Sequence, residues 1–349
     1  MNITKLILLA SVSWLLLSPP TLLAKEFNDS KISHSKYPNW FIDSPFLELN
    51  EDLENASASG KQGLMVVYST EGCSYCNKFI EKSLGDPGIA ATIRENFGSV
   101  GLEIFDDANL VGPRGQETTV KTFAKREGVM FAPTVLFYDK EGKSVLRITG
   151  YQSPERFKTS LSYVIGKHYK SKNMAEYKQS ITKKKTAPVS TEPLKQDQLF
   201  AKPPYLLQRN VIPASQPLLV IFETAGCDDC DDFHNKVLAN KEVRGALNDY
   251  EVVRLDSRDD KSVIITPDGS RYTPASWYKQ KGFSRTPALL FFNERGYTAM
   301  KTDNLVLEQR MMNSINYVNE RAYSKGWSYQ RFARSKAIER NMKKMSNVN

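Results

Sequence analysis

Shifted by 154 residues, the chain falls on itself. Cys73 meets Cys227 and Cys76 meets Cys230. The same shift carries Phe79 to Phe233, Leu84 to Leu238, Pro133 to Pro287, Gly142 to Gly296 and Tyr163-Val164 to Tyr317-Val318. A single offset kept over so long a stretch marks a duplicated module, which must fold as one architecture twice. The length of 349 residues agrees, because single cores stop growing beyond about 250–300 residues. The four cysteines of the chain are two Cys-x-x-Cys pairs, one in each copy.

In the first copy, Leu64-Met65-Val66-Val67-Tyr68 is a short apolar run suited to a buried strand. A helix is expected to start beside Cys73, with Phe79, Ile80 and Leu84 on its apolar face, and to end at Gly85-Asp86-Pro87. There follow a strand over 100–105, a helix over 118–127, a strand over 133–138, a turn at Asp139-Lys140-Glu141-Gly142, a strand over 144–148 and a helix over 154–168. The order β-α-β-α-β-β-α predicts an α/β fold with helices covering a central sheet. The second copy repeats it from Pro217 to Tyr323.

The remaining segments divide the chain further. Residues 1–24 carry Lys5, an apolar run over 6–17, then Pro19-Pro20 and Leu22-Leu23-Ala24, the three-part pattern of a secretory leader cleaved after Ala24. The alternative is a retained anchor, for which the run is short against the ~20 residues that span a bilayer. Export to the periplasm is expected. There the environment is oxidising, so paired cysteines can close. Residues 25–50 read as an N-terminal arm, 51–169 as the first domain, 170–205 as a flexible polar linker, 206–323 as the second domain and 324–349 as a basic tail.

Composition rules out several classes. Hydrophobic content of 40% excludes global disorder. The net charge of +9 gathers in Lys183-Lys184-Lys185 and in Arg331, Arg334, Lys336, Arg340, Lys343 and Lys344. Without interleaved aromatics or a nucleic-acid motif such runs do not point to nucleic acid; weak contact with an anionic membrane surface or an acidic partner fits them better. No phosphate-binding glycine loop or nucleotide fingerprint is present, so no cofactor is expected. Three histidines leave little room for histidine-based catalysis.

In each copy the Cys-x-x-Cys follows a buried strand and opens a helix. Unpaired N–H groups and the dipole at a helix N-terminus favour a thiolate, the species that attacks disulfides. Cys73 is therefore the natural nucleophile. Cys76, one turn on, can attack the mixed disulfide formed at Cys73 and release the partner. Ala132-Pro133 and Thr286-Pro287 each precede a strand, and a proline there needs a reason. A cis bond would leave the backbone of the preceding residue free to pair with an extended client.

Strand, Cys-x-x-Cys, helix and a distant X-Pro-strand resemble the thioredoxin superfamily. The first copy is similar more narrowly to the secreted SoxW-like thioredoxins of bacteria, through Cys73-Ser74-Tyr75-Cys76, Asp86-Pro87, Gly128-Val129, Ala132-Pro133-Thr134 and Gly150-Tyr151. The resemblance implies two tandem thioredoxin-like domains. It assigns attack to Cys73 and Cys227, resolution to Cys76 and Cys230, and the client-binding proline to Pro133 and Pro287. The partners implied are exported proteins with thiols or disulfides and a redox partner such as a membrane electron donor. Gly72 and Gly226 stand where thioredoxin has an aromatic, and Val67 and Ile221 where it has a buried acid. Proton handling must therefore differ, with Glu71 or Glu223 as candidates.

Two other readings stay open. Cys227, Cys230 and His234 share spacings that could place them on one helix face as metal ligands. Alternatively, the pairs are permanently closed and the protein is a non-catalytic adaptor. If the pairs are redox centres, Asp228 and Asp229 oppose a thiolate at Cys227, so the second centre should be the more reducing.

Overall fold

In the computed structural model, which describes residues 27–30, 36–129, 131–182, 194 and 196–346, Gly63–Ser69 form β1, buried along its whole length. Such a strand needs cover on both faces, and alternation divides it accordingly. Met65 and Val67 pack with Phe79, Phe137 and Phe157; Leu64, Val66 and Tyr68 pack with Val120 and Phe123 on the other side. β1 pairs in parallel with β2 (Phe97–Glu103) and antiparallel with β3 (Thr134–Asp139), which pairs in turn with β4 (Ser144–Thr149). The order is β2-β1-β3-β4. Burying Phe79 or Phe157 this completely contributes roughly 1.5–3 kcal/mol per side chain.

The second half repeats the sheet. β5 (Leu218–Glu223) takes the central place, with β6 (Glu251–Asp256) parallel on one side and β7 (Ala288–Phe292) then β8 (Thr298–Thr302) antiparallel on the other. Left-handed glycines recur at the same offset, Gly128 with Gly282 and Gly142 with Gly296, as do the left-handed Lys167 and Arg321. The predicted α/β class and tandem arrangement hold.

Two helices of the first half lie outside the predicted order. Leu49–Ala58 form α1, and Pro87–Asn96 form a helix directly after the one that follows Cys73. Asp86-Pro87 reads as a stop, and it is also a start: the Asp86 carboxylate accepts the Ile89 N–H at 2.9 Å, and proline suits the first helical position.

The predicted boundaries need correction at three places. Residues 170–182 are not linker, because Met174–Thr182 form a helix whose Tyr177 is buried against Tyr163 and His168. At the other end, Phe200 enters the core of the second half and Asp197 pairs with Arg244. Residues 183–193 and 195, between them, lie outside the described residues, as does the leader expected over residues 1–24. The basic tail is helix Tyr329–Ser346, with Tyr329, Phe332 and Ala337 buried. Three of its cations are engaged within the chain: Arg334 reaches Glu71, Lys336 reaches Glu320 at 2.9 Å, and Arg331 covers Trp327. The N-terminal arm is structural too, since the Tyr37 hydroxyl donates to Ser69 Oγ at 2.7 Å and stacks on Phe41.

Candidate active site

Both cysteine pairs sit where strand gives way to helix. After β1, Gly72 turns the chain at φ 73°, and Cys73 caps the helix α2 (Ser74–Lys78), which widens into a further turn over Phe79–Leu84. Gly226 has the same φ before Cys227, the cap of helix Asp228–Asp232. A side chain at either glycine would be strained, which accounts for the missing aromatic. The Cys76 N–H donates to Cys73 Sγ at 3.1 Å, and the Cys230 N–H to Cys227 Sγ at 3.1 Å. Each first cysteine thus holds the positive end of its helix against its sulfur, which favours the thiolate. Both pairs are closed as disulfides, with Cα atoms 5.2 Å apart.

The prolines fall where the sequence places them. Ala132-Pro133 and Thr286-Pro287 are cis. Ala132 packs against Cys73, Tyr75 and Cys76 in one apolar cluster. Thr286 Oγ1 lies 3.3 Å from Cys227 Sγ, and the Thr286 carbonyl oxygen lies 3.6 Å from it. The hydroxyl can donate to that sulfur as a thiolate, and the carbonyl can accept from it as a thiol.

The two centres differ in what surrounds them. Cys73 is 9% exposed and Cys76 1%, whereas Cys227 is half-buried. Tyr75, inside the first pair, is fully enclosed. Its hydroxyl donates to Asp29 Oδ2 at 2.8 Å and accepts the Leu307 N–H at 3.1 Å, while Arg310 stacks 3.6 Å from the ring centre. Burial holds this hydroxyl well above the usual tyrosine range, so it stays a neutral donor. Around the second pair, Asp229 is ion-paired with Arg156 of the first half. Lys78, Arg156, Asp229, Arg285, Thr286 and Pro287 line one cleft of about 700 Å³ that borders both cysteine-bearing helices.

The candidates for proton handling separate. Glu71 is exposed and reaches Arg334 at 3.5 Å. Glu223 is buried at the end of β5, with His234 Nε2 2.8 Å from one carboxylate oxygen. His234, considered as a third ligand beside Cys227 and Cys230, turns to that carboxylate instead. Among the described residues no group of three or more histidine, cysteine or acidic side chains converges as a metal site.

Sequence reasoning did not find Asp29, Leu307, Arg310 or Gln330, whose side chain meets Ala132. The apolar spacing of Tyr329, Phe332, Ala333 and Ala337 is the available signal for a packed helix there; Asp29 gives none.

Residues 49–165 and 208–318, together well over half of the chain, match the thioredoxin-like domain family. Among solved structures, a thioredoxin-fold protein from Helicobacter pylori is similar at 22% identity, with 41% of this chain and 88% of that chain covered and a TM-score of 0.33. A thioredoxin from Thermus thermophilus is similar at 26% identity, over 36% of this chain and 88% of that chain, with a TM-score of 0.28. The C-terminal domain of DsbD from Neisseria meningitidis, in the reduced form, follows at 14% identity, over 30% and 83%, with a TM-score of 0.23. No curated protein matches the chain.

Proposed function

The chain belongs to the thioredoxin-like domain family in both halves and is a thiol-disulfide oxidoreductase, and from that premise we propose that it exchanges disulfides with exported client proteins in the periplasm. The observation that carries the reading is the position of Cys73 and Cys227, each capping a helix with the N–H of its partner cysteine on its sulfur. The secretory pattern of residues 1–24 supports the compartment.

The chemistry runs in two displacements. The thiolate of Cys73 or Cys227 attacks one sulfur of a client disulfide; an enzyme–client S–S bond forms, and the other client sulfur leaves as a thiolate and takes a proton from water. Cys76 or Cys230, deprotonated, then attacks the enzyme sulfur of that bond, and the second client thiolate leaves. The client gains two electrons, and the enzyme pair closes to a disulfide. The reverse order oxidises a client dithiol. Ala132 and Thr286 offer backbone groups to the client strand beside Pro133 and Pro287. Repeated turnover as a reductant draws electrons from a redox partner such as a membrane donor.

The test is to express full-length Cys230→Ser and Cys76→Ser in a periplasm and resolve mixed disulfides on non-reducing gels, with insulin reduction as the activity assay. Client adducts are expected on Cys227 in the first variant and on Cys73 in the second, and none in Cys227→Ser or Cys73→Ser. Pairs that resist dithiothreitol and trap nothing would leave a non-catalytic adaptor.

A further inference from the structure

We infer that the second half is a resident cover on the client groove of the first, so that clients meet the Cys227–Cys230 centre directly and reach Cys73 only when the cover lifts. The inference rests on the oxidoreductase reading and adds which centre is open.

The backbone groove beside Pro133 is already filled. The Ala132 N–H, the group a client strand would use, donates to Gln330 Oε1 at 3.2 Å, and both residues are buried. Gln330 belongs to the helix Tyr329–Ser346, and its side-chain carbonyl stands where the main-chain carbonyl of an extended client would bind. Next to it Phe131 meets Tyr329, ring centres 5.7 Å apart, and Arg334 reaches Glu71 two residues before Cys73. Leu305 and Leu307 pack on the cluster of Cys73, Tyr75, Cys76 and Ala132, and Cys73, which should attack, is left only 9% exposed.

A clamp holds the cover in place. Helix Glu308–Asn319 begins at Leu307, which offers no capping side chain. Asp29 supplies the cap instead, accepting the Gln309 N–H at 3.1 Å and the Arg310 N–H at 2.9 Å. The same carboxylate accepts from the Tyr75 hydroxyl, and the Asp29 carbonyl accepts from Ser74 Oγ at 2.9 Å. One residue of the N-terminal arm thereby joins the first cysteine pair to the helix of the second half. The equivalent Thr286-Pro287 segment instead lines the cleft of about 700 Å³, and its Cys227 is half-buried. The covering helices therefore form an interaction surface whose partner is the chain's own groove.

The experiment uses two full-length single-thiol proteins. One keeps Cys73 (Cys76→Ser, Cys227→Ser, Cys230→Ser) and the other keeps Cys227 (Cys73→Ser, Cys76→Ser, Cys230→Ser). Alkylation by iodoacetamide is timed under native conditions and again in denaturant. Cys73 is expected to react at least about tenfold more slowly than Cys227 relative to their denatured rates, and Gln330→Ala with Arg334→Ala should raise the Cys73 rate about tenfold, the effect of losing one buried hydrogen bond and one ion pair. Amide exchange over residues 128–134 in the unmodified chain is the second measurement, expected to be slow and to accelerate with Gln330→Ala alone. Equal native rates for the two cysteines, or an Ala132 amide that exchanges freely in the unmodified chain, would overturn the inference. Neither readout needs a client, so absent exchange with insulin would count against the proposed function and leave the cover standing.

Discussion

Glu223 and His234 meet at 2.8 Å, carboxylate oxygen to Nε2, between the strand that leads into Cys227 and the helix that leaves Cys230. Arg254 on β6 stands 3.6 Å from the other carboxylate oxygen, and Phe200 lies under both partners, 4.4 Å from the Arg254 guanidinium and edge-on to the imidazole. A buried carboxylate is tolerated in such a place because it is paired. The first half has Ser69, Ile80 and, by strand register, Gly101 at the corresponding positions, so the network belongs to the second centre alone.

Removing Glu223 should therefore be severe. Glu223→Ala leaves Arg254 and His234, both partly buried, without a counter-group, and the loss expected from breaking one side of a buried pair is up to about 3–5 kcal/mol. Urea unfolding of the full chain checks it: the transition of the second half should move to lower urea while that of the first stays in place. Glu223→Gln keeps a hydrogen-bonding oxygen for His234 and should lose less. A shift for Glu223→Ala below about 1 kcal/mol would mean that the carboxylate contributes little to folding.

Asp52 supplies a pH dependence of the opposite sign from most carboxylates. Burial, then repulsion from Glu51 and Glu48, pushes its carboxyl up from 3.8 to about 6. A group whose folded value is raised contributes stability that is fully present below the unfolded value, near 4, and is lost as pH rises through about 6. Asp52→Asn should flatten the stability profile between these limits and stabilise the first half at pH 7 by about 1 kcal/mol after discounting for partial exposure. The check is the urea midpoint at pH 4.5 and pH 7. An unchanged difference between the two pH values in the variant would remove Asp52 from the profile.

Tyr75 ties the halves through its hydroxyl, which donates to Asp29 and accepts from Leu307. Tyr75→Phe keeps the ring under Arg310 and leaves the Leu307 N–H and the Asp29 carboxylate each short of a partner, a loss of about 1–3 kcal/mol in docking. Limited proteolysis, with cleavage sites mapped by mass spectrometry, should show earlier cuts between the halves. Unchanged cleavage would show that the hydroxyl bonds add little to the docking.

The fold was legible because its signals are local and doubled. The apolar run Leu64-Met65-Val66-Val67-Tyr68 of β1, the glycines at Gly142 and Gly296 and the prolines at Pro133 and Pro287 each read the same way in two copies. The helix Pro87–Asn96 was hidden because Asp86-Pro87 carries a stop and a start in two residues. Helix Met174–Thr182 was hidden because Tyr177 supplies its buried contact within a polar run. The cysteines and the X-Pro positions of the site were legible for the same local reasons. Asp29, Arg310 and Gln330 were not, because their roles depend on how one half sits on the other, and a hydrogen bond between residues 132 and 330 leaves no periodicity to read.

Arg156 and Asp229 decide how far the two centres differ in redox poise. From the sequence, Asp228 and Asp229 both oppose a thiolate at Cys227, which destabilises the reduced form and makes the second centre the more reducing by roughly 10–40 mV. In the structure Asp229 is neutralised by Arg156, with both side chains about half exposed, which leaves Asp228 uncompensated and narrows the gap to roughly 10–20 mV. The direction is kept: electrons should pass from the Cys227–Cys230 pair to the Cys73–Cys76 pair. Arg156→Ala restores the second negative charge, so it should lower the potential of the second centre by roughly 10–20 mV and leave that of the first centre nearly unchanged. The measurement is an equilibrium titration of the full chain in glutathione buffers, with each pair read by thiol labelling and peptide mapping. As the buffer becomes more reducing, Cys73–Cys76 should open first. If Cys227–Cys230 opens first, or if Arg156→Ala raises its potential, electrons do not flow in this direction and the aspartates do not set the poise of the second centre.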